Sequence, residues 1–143
     1  MNQIEMQMID HSVSSDWWKN LMRYFVRIND EVEIRCWKEE TLEIQRASSY
    51  GIPVNDGLEV SIKGNVTAEL LEELQVENPT DKDIYNKMTK FFTINVKNDS
   101  YYFVSEHYGT EIYIFGLSND DISVFQEIIS PYINYFSIKI TND

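Results

Sequence analysis

Residues 91–118, FFTINVKNDSYYFVSEHYGTEIYIFGLS, contain three β-type runs broken only by the turn signals Asn98-Asp99 and Gly109-Thr110. Connections this short join antiparallel strands, because a parallel crossover needs a dozen or more residues. The segment therefore predicts a three-stranded antiparallel meander over 94–96, 101–104 and 112–115. Any fold available to the chain has to be built around that sheet.

The flanking sequence extends it. EVEIRCWK alternates Val32, Ile34 and Cys36 with Glu31, Glu33 and Arg35, the pattern of a strand with one wet face. TLEIQRA repeats the alternation through Leu42 and Ile44 after only three residues, which predicts a hairpin. SSYGIPVNDG, residues 48–57, reads as a loop, LEVSIK as a further strand, and YFSIKI as a last one. Helical spacing of Trp18, Leu21, Met22, Phe25 and Ile28 after Ser14, Ser15 and Asp16 predicts a helix over 15–29. TAELLEELQ predicts a short helix capped by Thr67, and a second is expected through Ile84, Tyr85 and Met88. Ser118 and Asp121 form a capping pair ahead of a helix carrying Ile122, Phe125, Ile128 and Ile129, which runs until Pro131.

The expected fold is α+β. A mainly antiparallel sheet of six to seven strands packs against an N-terminal and a C-terminal helix, and residues 1–143 form a single domain with 1–13 loosely packed. Nineteen aromatics (3 Trp, 9 Tyr, 7 Phe) supply ample core.

Charge narrows the function classes. Twenty-four Asp and Glu against 12 Lys and Arg leave −12, beyond the roughly 2 to 8 units that suffice for solubility. Phosphate contacts and anionic membrane surfaces both call for clustered cations, which the sequence lacks, so direct nucleic-acid binding and membrane binding are not expected. MNQIEMQMID has no basic n-region and no apolar core, so the expected location is cytoplasmic. A basic protein partner is the natural complement of such a chain.

Few residues suggest catalysis. One Cys and two His, without H-E-x-x-H, give no metal site, and the absence of glycine-rich phosphate loops gives no cofactor. Cys36 falls on the apolar face of its strand and is expected in the core. Glu106-His107 is the one acid-base pair, but neighbours on a strand point to opposite faces unless the turn at Gly109 bends them together. The chain is not expected to be an enzyme.

The cluster that stands out is carboxylate: Glu69, Glu72, Glu73 and Glu77, followed by Asp81 and Asp83. On a helix the four glutamates share one arc while Leu70, Leu71 and Leu74 share the next, so the leucines hold the helix down and the acids face out. A second acidic group, Glu31, Glu33, Glu39, Glu40 and Glu43, is the weaker candidate. With its small size, strong acidity, AT-rich bias (17 Ile and 12 Asn against 2 Ala) and the run TAELLEELQVENPTDKD, the chain resembles bacterial toxin-immunity proteins, including those of contact-dependent growth inhibition. That resemblance implies non-covalent neutralisation of a toxin domain. Folds in the class are unrelated, so it transfers no site residues. The expected activity is binding of a basic toxin, with a nuclease domain the sharpest case, through Glu69, Glu72, Glu73, Glu77, Asp81 and Asp83. The alternatives are a phage-type DNA mimic that inhibits DNA-processing enzymes, and a small ligand-binding or sensor domain.

Overall fold

The computed structural model describes residues 1–76 and 87–142. Its elements are β1 (Asn2–Met8), α1 (Asp16–Phe25), β2 (Glu31–Trp37), α2 (Thr41–Ala47), β3 (Ile52–Asp56), β4 (Glu59–Asn65), α3 (Ala68–Val76), β5 (Thr93–Lys97), β6 (Tyr102–Glu106), β7 (Glu111–Leu117), α4 (Asn119–Ile129) and β8 (Phe136–Asn142), with a 3-10 segment Ser130–Tyr135 leading into β8. The strands form one antiparallel sheet in the order β3-β4-β2-β5-β6-β7-β1-β8, and the fold is α+β.

The central meander follows from the sequence. β5, β6 and β7 pair in succession, with Val96 opposite Phe103 and Phe103 opposite Ile114. Those side chains share one face of the sheet with Val32, Ile34, Ile62, Ile4 and Met6, all buried. The helices pack on this face: Trp17, Trp18, Leu21, Met22 and Phe25 of α1, Leu70 and Leu74 of α3, and Phe125 and Ile129 of α4 join the same core cluster. The opposite face of the sheet carries no helix among the described residues.

Three sequence expectations are corrected. The first 13 residues are not loose: Asn2–Met8 forms β1, hydrogen-bonded between β7 and β8, with Ile4, Met6 and Met8 buried in the core. Their period-2 alternation is carried by Met between Gln and Glu, residues without strong β preference, so the signal is weak locally and is decided by long-range pairing. The hairpin through TLEIQRA is replaced by α2. Leu, Glu, Gln, Arg and Ala are good helix formers, and two apolar residues two apart are too few to separate a strand from a short helix. β2 pairs instead with β4 and β5. The loop over 48–57 contains β3, joined to β4 by a two-residue turn in which Gly57 takes φ 65°. The hairpin signal is Gly57 at the first of the two turn positions, ahead of Leu58, which the surrounding Gly, Pro and Asn obscured. Losing one expected strand and gaining two gives eight.

Helix ends follow capping chemistry. Ser118 Oγ accepts from the Asp121 N–H at 3.1 Å, as the capping pair predicts, and Thr67 Oγ1 accepts from the Leu70 N–H at 3.1 Å. α1 stops at Phe25, short of the expected Asn29, because Val26 is already extended and Asn29 sits at φ 75°, donating its N–H to the Val66 carbonyl. Of the helix expected through Ile84, Tyr85 and Met88, Ile84 and Tyr85 lie outside the described residues, and Met88 is buried but not helical.

Candidate functional site

α3 places the acidic candidates in two groups. Glu69 and Glu72 are exposed and have no ion-pair partner among the described residues. Glu73, expected to face out with them, does not: it is 5% exposed and lies against α2 and the segment before β5. Its Oε1 accepts from the Tyr50 hydroxyl and lies 3.3 Å from Arg46 Nη2, while its Oε2 lies 2.8 Å from Lys90 Nζ. The reason is rotational. Residue 73 follows buried Leu70 by three positions and precedes Leu74, so its side chain falls at the border of the leucine stripe, within reach of the neighbouring helix. Burial pushes the Glu73 carboxyl up, and Lys90, Tyr50 and Arg46 together outweigh it and hold the group below its ordinary range. Glu77, Asp81 and Asp83 lie outside the described residues.

Arg46, Tyr50, Glu69, Glu72 and Glu73 line a shallow cavity of about 250 Å³ between α2 and α3. Lys90 is largely buried against Glu73, whereas Arg46 reaches Glu73 with about half of its side chain exposed and stays in the lining beside Glu69 and Glu72.

The second acidic group also divides. On the open face of the sheet Arg35 binds three carboxylates from three strands: Glu33 Oε2 at 2.9 Å, Asp56 Oδ2 at 2.9 Å and Glu59 Oε1 at 3.0 Å. These bonds, Asp56 and Glu59 first, raise the guanidinium's affinity for its proton. Burial raises the Glu33 carboxyl, but Ser61, Asn95 and Arg35 hold it down overall. Glu40 is half-buried and bonds the Trp37 N–H at 2.8 Å and the Tyr108 hydroxyl at 3.1 Å, and burial leaves its carboxyl raised. Glu31 and Glu39 are exposed, Glu43 is half-buried, and none of the three pairs with a cation among the described residues.

Glu106 and His107 are brought together, against the expectation from strand alternation. Three successive left-handed residues follow β6: His107 at φ 51°, Tyr108 at φ 58° and Gly109 at φ 87°. They break the alternation, and both side chains line one cavity of about 310 Å³ with Arg35, Glu59, Phe92, Thr93 and Asn95. His107 Nε2 lies 3.0 Å from Glu111 Oε2, and its ring meets Phe92 edge-on at 5.6 Å. The turn is anchored from below, since a Cβ on Gly109 would sit 2.8 Å from the Trp18 indole. Residue types alone gave the pair; only the left-handed turn, which Gly109 hinted at, placed it in one site. Cys36 is fully buried, and burial, followed by Glu40, Glu43 and Glu59, pushes its thiol up to about 12, in keeping with a core role.

Among the described residues no group of three or more His, Cys, Asp or Glu is arranged to hold a metal ion, and no helix is long and apolar enough to cross a membrane. No protein-family model, no curated protein and no solved structure matches the chain.

Proposed function

We propose that the chain is a binding protein that neutralises a basic protein partner, in the manner of a toxin-immunity pair, with Glu69 and Glu72 of α3 in the contact surface. The observation that supports this is that Glu69 and Glu72 are exposed with no ion-pair partner among the described residues, while Arg46 and Lys90 both bind the neighbouring buried Glu73. Exposed carboxylates on a molecule of charge −12 attract cationic surfaces over several ångströms and accelerate encounter. A nuclease domain, which has to present Lys and Arg to its polyanionic substrate, is the partner class whose active surface such carboxylates would cover. A DNA mimic needs carboxylates spaced along a surface like phosphates; Glu33, Asp56 and Glu59 instead converge on one guanidinium, which fits that alternative less well.

The test is the double variant Glu69→Lys/Glu72→Lys against a nuclease domain retained on the immobilised chain at low salt, released at high salt, and inhibited by the wild-type chain. Association should slow by about tenfold with dissociation and the thermal melt little changed, because exposed charges act chiefly on encounter. Unaltered association kinetics would remove α3 from the interface.

The cavity holding Glu106 and His107 favours a second reading, a small-ligand or sensor domain. A thermal-shift screen of charged metabolites would support it if one compound raised the melting temperature and lost that effect in His107→Ala.

A further inference from the structure

We propose that two copies of this chain pair through the outer edge of β8, antiparallel and about a two-fold axis at Ile138. The inference is independent of the toxin-binding reading, because it rests on the end of the sheet remote from α3.

β8 is an end strand whose ladder runs to β1 alone, unbroken from Asn2 opposite Asn142 to Met8 opposite Phe136. Its other edge presents main-chain donors and acceptors with no strand beside them among the described residues, which is a template for a further strand. The sheet's two ends differ. β3 is blunted by Pro53, which removes a donor, and by Asp56 at its end, whereas β8, FSIKITN, has no proline, no acid and no register shift. On a molecule of charge −12, a strand whose only charge is the Lys139 ammonium is where two copies meet with least repulsion.

The register follows from that lysine. A two-fold axis at Lys139 would set two ammonium groups directly opposite each other, which is unfavourable. Moving the axis to Ile138 sets Ile138 against Ile138, Phe136 against Ile140, and Lys139 against Ser137. Each Lys139 keeps Glu5 of its own β1 across from it. Opposed residues share a face, so both helical layers stay on the same side of the joined sheet. On that side the helical layer leaves Ile138 half-buried and Ile140 38% exposed, apolar surface that the second copy covers. One strand pair with its flanking side chains is at or below the small end of the roughly 1,200 to 2,000 Å² typical of stable complexes, so the dimer is expected to form in a concentration-dependent way.

Sedimentation velocity over a roughly hundredfold concentration range, with Ile138→Cys and Ile52→Cys variants under mild oxidation, tests it. Directly opposed residues have Cα atoms about 4.5 to 5.5 Å apart, within disulfide reach, and the native Cys36 is buried and does not compete. The expected results are a shift from monomer to dimer with concentration, a covalent dimer from Ile138→Cys but not from Ile52→Cys on β3, and a dimer dissociation constant at least about tenfold higher in Ile140→Lys with the monomer's circular dichroism unchanged. A monomer at every concentration, or a covalent dimer through Ile52→Cys in place of Ile138→Cys, would overturn it.

Discussion

Glu73 carries a carboxylate to a place where water has little access, and its worth depends on the three groups that meet it. Because its folded-state carboxyl titrates below the ordinary value of 4.5, the network contributes stability that is fully present above that value and is lost as pH falls through the folded-state one. Glu73→Gln keeps the shape but removes the charge facing Lys90 and Arg46, and should cost about 1.5 to 3 kcal/mol at neutral pH. It should also flatten the loss of stability below pH 4.5, which urea titrations at stepped pH would show. The same residue marks the limit of reading a site from a helical wheel. The wheel separates the acids from the leucines, yet residue 73 lies at the border, where a neighbouring element decides whether the side chain turns out or in. Nothing in TAELLEELQ announces Tyr50, Arg46 or Lys90, which come from elsewhere in the chain.

At the level of elements, what was legible was what local chemistry decides. The β5-β6-β7 meander, the Ser118 cap of α4 and the leucine face of α3 all follow from turn residues, a capping pair and a 3.6-residue period. α2, β1 and β3 did not, because each is short and weakly patterned and takes its form from the strand or helix beside it. The turn after β6 combines both kinds of control. Its left-handed backbone is permitted by Gly109 and enforced by the packing of that glycine against Trp18 and Met88. Gly109→Ala should therefore lower stability by about 2 to 4 kcal/mol, combining the strained φ with overpacking. It should also displace His107 from Glu111, visible as a changed His107 imidazole resonance in NMR spectra of the folded protein. A variant as stable as the parent would mean that the turn is less tightly seated than the distances imply.

For the molecule as a whole, a charge of −12 opposes compaction, because the folded state holds its anions closer together than the unfolded chain does. Added sodium chloride screens that repulsion, so the melting temperature should rise by several degrees between about 0.01 M and 0.2 M salt, as the Debye length shrinks from about 30 Å to below 8 Å. A melting temperature that falls over this range would mean that the bonds at Arg35 and Glu73 outweigh the net repulsion. Topology adds a consequence for biosynthesis. β1 lies between β7 and β8, and Asn2 bonds the carbonyl of Leu117, 115 positions away. A ribosome therefore releases the first strand long before either neighbour exists, and Ile4, Met6 and Met8 stay uncovered through most of translation. Strands β2 to β7 can assemble as they emerge, but the sheet closes around β1 only once β8 has emerged, which makes that late docking the step most open to chaperone capture or misassembly.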